Sequence, residues 1–283
     1  MFRPRILGAL VVALLLSAPA WAQRYSFKFY GEEEGLQNLD VQVVLQDRAG
    51  FLWVGTQNGL YRYDGSRFSG FNKNQGLPGT RIDSLHEAAD GTLWVGTRSG
   101  LARRVGDRFE AVPIATAQAN RGQLIAQGIM GRQGIATDAQ GNLYLATEAG
   151  LVVSENQRGS LKFTAIPNPE SQSDEVTTSV YLDASGTAWY GCGTGLCMLT
   201  SNGARDIGKE QGLPEERWFS ILGDVDGNMW VRGERYLYRR AAGAAKFEAL
   251  PKLPESHNTV PTAALDPQGR LLVPTDKGLA RER

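Results

Sequence analysis

The sequence predicts an all-β protein, a β-propeller built from four-stranded antiparallel blades, and three observations carry that prediction. The ten-residue phrase FLWVGTQNGL at 51–60 recurs in degrading copies: TLWVGTRSGL at 92–101, NLYLATEAGL at 142–151, TAWYGCGTGL at 187–196, NMWVRGERYL at 228–237 and RLLVPTDKGL at 270–279. Glycine precedes every copy, at positions 50, 91, 141, 186, 227 and 269, so the steps are 41, 50, 45, 41 and 42 residues, the spacing of a modular array. Inside each copy an apolar run of about five residues lies between turn signals, which suits a buried strand better than a helix.

The first module shows how the elements follow. Residues 41–46 form a β-rich run, and Asp47-Arg48-Ala49-Gly50 supplies a turn in which Asp bonds nearby backbone and Gly takes positive φ. Residues 51–56 are the second strand, Gln57-Asn58-Gly59 turns the chain into a third at 60–63, and Asp64-Gly65 is a hairpin signal leading to a fourth at 68–71. Four antiparallel strands in some 40 residues make one propeller blade. A large residue recurs where blades must be wedged together: Trp53, Trp94, Tyr144, Trp189, Trp230 and, in the last copy, Leu272. These positions are read as packing, not as ligand stacking.

The N-terminus reads differently. Arg3 and Arg5 precede an apolar run over 6–16, and Ala20-Trp21-Ala22 places small residues at a cleavage site, which predicts a signal peptide over 1–22 and a mature propeller over 23–283 in a periplasmic or extracytoplasmic compartment. The leader takes two of 30 basic residues and none of 30 acidic ones, leaving a formal charge of −2. Basic residues are scattered among acidic ones, an arrangement that argues against nucleic acid.

The unit from Gly76 to Phe109, GLPGTRIDSLHEAADGTLWVGTRSGLARRVGDRF, resembles the repeat of the two-component regulator propellers, whose pattern runs Gly-Leu-Pro, a strand, Asp-x-x-Gly, Leu-Trp-Val-Gly-Thr and Gly-Leu. GLQNLDVQVVLQDRAG from Gly35 and GLPEERWFSILGDVDG from Gly212 repeat the opening. The resemblance implies the extracytoplasmic sensor region of a membrane histidine kinase, hybrid kinase or diguanylate cyclase, with an output module beyond a membrane helix in the full-length parent. The chain itself carries no kinase His box, GGDEF-like run or P-loop, so it reads as non-catalytic and without a cofactor. The alternatives are an exported scaffold for a protein or polysaccharide, and a propeller lyase or lactonase.

Ring closure has two readings. Residues 24–30 precede Gly35-Leu36 as 65–71 precede Gly76-Leu77, which makes them an orphan outer strand able to complete a last copy that ends after its third strand. Six repeats then form a closed six-bladed ring; otherwise they belong to an incomplete seven-bladed one.

Candidate chemistry is sparse. His86 lies in a predicted first strand and His257 in a loop, and neither recurs by blade. Asp224-Val225-Asp226-Gly227-Asn228 begins like a calcium loop, but Arg235 stands where an EF-hand needs Glu, so no metal site is expected. Cys192 and Cys197 flank Gly193-Thr194-Gly195, and spacing leaves both a disulfide and two buried thiols open. The turns between second and third strands lie at the same end as the connections between blades, and variable positions gather there. They supply the ligand-binding candidates Asn58, Arg81, Arg98, Glu148, Arg217, Trp218, Arg232, Glu234, Arg235 and Tyr236, with Thr194 and Lys277 beside them. The expected ligand is an unidentified small molecule, with a carbohydrate fragment the first candidate. Arg232 and Tyr236 break the phrase in copy five, and Pro274 breaks it in copy six, where it predicts an irregular blade.

Overall fold

The computed structural model describes residues 28–114, 128–157, 160–169, 176–250, 262–266, 268–275 and 278–281. The chain divides into Met1–Tyr30 and Gly31–Arg283; the second unit is a six-bladed β-propeller. The signal peptide over 1–22, residues 24–27 of the expected orphan strand, His257 and Lys277 lie outside the described residues, and 28–30 carry no strand. Among the described residues no helix is long and apolar enough to cross a membrane.

Blade one comprises β1 (Val41–Gln46), β2 (Leu52–Thr56), β3 (Gly59–Tyr63) and β4 (Phe68–Phe71); blade two β5 (Ile82–Glu87), β6 (Leu93–Thr97), β7 (Gly100–Val105) and β8 (Arg108–Val112). Blade three holds β9 (Ile135–Thr137), β10 (Leu143–Thr147), β11 (Gly150–Gln157) and β12 (Ser160–Ile166), and blade four β13 (Thr177–Leu182), β14 (Ala188–Cys192), β15 (Gly195–Thr200) and β16 (Gly203–Asp206). Blade five has β17 (Trp218–Gly223), β18 (Met229–Gly233), β19 (Leu237–Arg240) and β20 (Glu248–Ala249), and blade six β21 (Ala264–Leu265), β22 (Leu271–Thr275) and β23 (Gly278–Arg281). Each sheet is an antiparallel meander in chain order; the first five have four strands and the sixth has three among the described residues.

The core lies between blades. Trp53 is fully buried, and its ring meets Phe71 of its own blade at 5.6 Å and Phe109 of blade two at 6.1 Å. Corresponding clusters join blades two and three around Trp94, three and four around Tyr190, four and five around Trp189, and five and six around Trp230. The recurrent aspartate ties this packing to the turn. In blade one, Asp47 Oδ1 accepts the Phe51 N–H at 2.9 Å while Oδ2 accepts the Trp53 indole N–H at 2.7 Å. Asp183 does the same for Thr187 and Trp189, and Asp224 for Asn228 and Trp230. In blade six, where Leu272 has no indole, Arg270 Nε donates to Asp266 Oδ2 instead.

The glycine of each phrase admits the next blade. A Cβ at Gly96 would stand 2.7 Å from Ile129 Cγ2, too close for either to stay in place. Blade six has Pro274 at this position, and pairing of β21 with β22 stops at Ala264 and Leu272, so that blade is irregular as expected. In blade one, Val44 is 53% exposed whereas its counterparts Leu85 and Ile221 are 7% and 1% exposed. Leu36, Val54, Tyr61 and Phe68 form a cluster confined to blade one, with no described residue of blade six in it.

His86 also joins blades. Its Nε2 lies 2.8 Å from Thr137 Oγ1 of blade three, and burial, aided by the Arg48 charge, lowers its pKa to about 4. The folded protein therefore refuses a proton that the unfolded chain accepts below about 6.5. Stability from this group is complete above pH 6.5 and falls as the pH drops towards 4, by about 3 kcal/mol in all. Chemical denaturation across that range should show the loss, and His86→Gln should flatten it. At neutral pH, Trp53→Ala should cost about 3–5 kcal/mol and Asp47→Ala, which leaves the indole N–H unpaired, about 1–3 kcal/mol, both measured by urea unfolding.

Candidate functional site

The turns joining second to third strands gather at one end of the ring, and in blades one to three a threonine hydroxyl holds them. Thr97 Oγ1 accepts the Ser99 N–H at 3.1 Å and donates to Gly100 O at 3.0 Å; Thr56 and Thr147 do the same in blades one and three. Blades four and five lack the threonine and close the turn by other means. In blade four Cys192 stands in its place and is disulfide-bonded to Cys197, on the same face of the hairpin, with Cα atoms 5.8 Å apart. In blade five the position is Gly233, and the carboxyl group of Glu216, arriving from the preceding connection, fills the space a side chain would take. Glu216 Oε2 accepts the Arg235 N–H at 3.3 Å, the counterpart of the bond that threonine accepts in blade two. Burial raises the Glu216 pKa against the opposing pull of the Arg235 N–H and the charges of Arg235 and Arg232. Among the described residues its Oε1 has no hydrogen-bond partner.

Charged side chains converge at this end of blades one to three. Asp83, with a side chain 8% exposed, accepts Arg81 Nε on Oδ1 at 2.7 Å and Arg98 Nε on Oδ2 at 3.0 Å. One buried carboxylate thus orients two guanidinium groups. Arg81 NH2 also donates to Gln42 Oε1 of blade one at 3.1 Å, and Arg98 NH1 lies 3.6 Å from Glu148 Oε1 of blade three. A third guanidinium, that of Arg132, feels the attraction of Asp83 and the repulsion of Arg81, and burial lowers its pKa.

Arg132 is carried by a segment without counterpart in the other blades. Ile82 and Leu85 of blade two are three residues apart, but their equivalents Ile129 and Ile135 are six apart. The extra length bulges inward. The carbonyl of Arg132 lies 3.4 Å from Ser84 Oγ of blade two, Gln133 O accepts the Val180 N–H of blade four at 2.8 Å, and Gln133 Oε1 accepts the Ile221 N–H of blade five at 2.9 Å. First strands are innermost and have channel-facing N–H groups that lack ladder partners; Gln133 satisfies two of them and spans the centre of the ring.

The candidates read from sequence fall into two groups. Arg81, Arg98 and Glu148 come together around Asp83, with Asn58 on the exposed turn of blade one. Glu234, Arg235 and Tyr236 are exposed on the blade-five turn, next to the exposed Arg217 and Thr194 of the adjoining connection and turn. Two candidates need correction. Trp218 is fully buried, its ring edge-on to Tyr238 at 5.7 Å, because it is the first-strand residue corresponding to Ile82. Arg232 is 3% exposed and occupies the phrase-glycine position inside the blade. Asp83, Arg132 and Glu216 were not among the candidates. The carboxylate of Asp83 between Ile82 and Ser84 in the first strand of blade two, the 50-residue step to the third copy, and the loss of threonine at Gly233 are the signals that mark them.

Asp224 has no capacity left for a cation: its oxygens accept from Asp226 N, Asn228 N, Asn228 Nδ2 and Trp230 Nε1. Among the described residues no group of three or more His, Cys, Asp or Glu side chains is placed to hold a metal.

The three turn locks predict an exchange experiment. Cys192→Ala should cost about 2 kcal/mol by releasing the short loop. The double variant Cys192→Thr with Cys197→Ala reproduces the threonine-locked hairpin of blade two and should recover about half of that; urea unfolding of the oxidised proteins measures both.

Comparison with known proteins agrees with the geometry. The family model for the two component regulator propeller matches residues 35–58 and 76–99, each running from a Gly-Leu opening into the turn after the second strand. No curated protein sequence matches the chain. Among solved structures, the extracellular domain of a putative hybrid two component system from B. thetaiotaomicron is similar at TM-score 0.53 and 18% identity, over 90% of this chain and 41% of that one. Virginiamycin B lyase from Staphylococcus aureus is similar at TM-score 0.62 and 13% identity, over 86% and 80%. PorZ of Porphyromonas gingivalis, a surface component of the type-IX secretion system, is similar at 0.59 and 13%, over 86% and 38%. At these identities the likeness is one of fold, and this chain spans about two fifths of the hybrid-system domain. The chain carries the two component regulator propeller repeat, matched in its first two blades and continued around a six-bladed ring.

Proposed function

We propose that this chain is an exported, non-catalytic sensor propeller, the input domain of a membrane signal-transduction protein of the histidine kinase or diguanylate cyclase kind, and that it binds a small molecule at the channel mouth of blades one to three. The observation that carries the reading is the pair of guanidinium groups held on buried Asp83, with Arg132 beside them on the segment crossing the ring. Holding two arginines in fixed geometry lowers the entropy lost when they engage a ligand. The regulator repeat supports the assignment to signalling, and the leader-like N-terminus supports an extracytoplasmic location.

The use of the titratable groups supports a non-catalytic role. The His86 ring is committed to Thr137 at the Asp-x-x-Gly end of the blades, opposite the arginine cluster. The enzyme reading requires a base facing the cluster. Among the described residues the carboxylates there, Asp83 and Glu148, face guanidinium groups instead.

The test is a thermal-shift screen of the mature chain against mono- and oligosaccharides, sugar acids and amino acids. A binding ligand at one hundred times its Kd should stabilise the fold by about 2.7 kcal/mol. The absence of any shift across the screen would favour a scaffold for a protein or polysaccharide.

A further inference from the structure

We propose that a cleft over β3 and β4 of blade one is a second ligand site and binds a short peptide in its zwitterionic form, the ammonium at Glu32 and Glu33 and the carboxylate at Arg67. The site shares no lining residue with the arginine cluster and goes beyond the reading above.

The cleft has a volume of about 770 Å³, within the range of small-ligand sites, and its charged lining is Glu32, Glu33, Glu34 and Arg67. The 3-10 turn Glu32–Glu34 needs only one of the three carboxylates. Glu34 Oε2 accepts the Gly31 N–H at 2.9 Å, as Gln75 Oε1 accepts the Asn72 N–H at 2.9 Å in the equivalent turn before blade two. Glu32 and Glu33 stand where that turn has Lys73 and Asn74, so neither charge is required to form it. Among the described residues their carboxylates have no hydrogen-bond or ion-pair partner, and the Arg67 guanidinium has none either. Unpaired charges of both signs in one cleft suit a ligand that carries both.

Tyr61 distinguishes the cleft from a patch of surface charge. It is 6% exposed and lines the cleft, yet among the described residues its hydroxyl has no hydrogen-bond partner. Burial raises its pKa, so the hydroxyl remains a proton donor at neutral pH. A donor in such low-dielectric surroundings bonds a ligand carbonyl more strongly than an exposed one does. Across the strand pair stands Gly70, whose counterparts in blades two, three and five are Ala111, Ala165 and Ala249. A Cβ at Gly70 would lie 3.3 Å from the Tyr61 ring, so the glycine keeps that side of the tyrosine uncovered. Gln37 and Asn58 add amides, which both donate to and accept from peptide groups. A neutral sugar would use the amides and the hydroxyl but leave both charges unmatched.

The experiment is titration calorimetry of the full mature chain with di- and tripeptides of alanine, leucine and serine, each with free ends, acetylated at the amine, amidated at the carboxylate, or blocked at both. The expected result is binding of at least one free peptide, weakened about threefold or more by either block and weakened by added salt. The variants assign the ends. Glu32→Gln combined with Glu33→Gln should remove the penalty for acetylation and keep that for amidation, and Arg67→Gln should do the reverse. Tyr61→Phe should weaken free and blocked peptides alike, while Arg98→Gln, in the arginine cluster, should leave peptide binding unaltered; thermal melting confirms that each variant folds. Failure of every free peptide to bind, equal binding of free and doubly blocked peptides, or end penalties that persist in the matching variants would overturn the proposal. None of these outcomes bears on the arginine cluster, whose ligand the separate screen reads.

Discussion

In three of the blades one carboxylate does two jobs, and the packing there depends on their being done by the same group. In blades one, four and five the aspartate of the Asp-x-x-Gly turn accepts a backbone N–H with one oxygen and an indole N–H with the other. The first bond fixes the hairpin, and the second fixes the rotamer of the largest residue in the inter-blade core. A buried indole N–H without a partner costs free energy comparable to a lost hydrogen bond, and the turn aspartate removes that cost by supplying an acceptor. Turn chemistry and core packing are thereby one constraint. The exception in blade two, where Ala88 stands at the aspartate position, is accompanied by Trp94 at 7% exposure, against 0–4% for the other three tryptophans of the phrase.

That constraint explains why so much of the fold was legible. Alternation of turn signals with short apolar runs locates the strands, and Trp53, Trp94, Trp189 and Trp230 identify themselves as packing residues by recurring at one register. Legibility declined where a residue acts across blades. Nothing local to Glu216 announces that it replaces a threonine hydroxyl at Gly233, because the two are 17 residues apart and meet only when the connection folds over the turn. Trp218 misled for the opposite reason. It sits in a variable connection, yet the register of β17 makes it the counterpart of Ile82, and burial follows from register and not from residue type.

The repeat also shows how drift is tolerated. The turn at the functional end is held by a hydroxyl in three blades, by a disulfide in a fourth and by a borrowed carboxylate in a fifth. These devices share only the location of the restraint, which argues that a fixed turn, more than any particular residue, is what the architecture requires. A rigid rim lets side chains on it vary freely, and the candidate site exploits that freedom in blades one to three. Blade six is the counter-example: Pro274 replaces a residue whose smallness admits the next blade, and pairing in that sheet is cut short.

The inserted segment from Gly131 to Gly134 makes the site more than a surface cluster. Arg132 contributes charge beside Asp83, while its neighbour Gln133 is bonded to blades four and five through two channel-facing N–H groups. Any displacement of Arg132 is therefore resisted by, or passed to, the strands of blades four and five that Gln133 holds. Because the backbone between the two residues is a single peptide unit, the coupling needs no chain of intermediate side chains. A ring of separately packed blades has few ways to sense occupancy at one sector from another. A short strut across its centre, tethered at three blades and carrying the Arg132 charge beside Asp83, is a direct one.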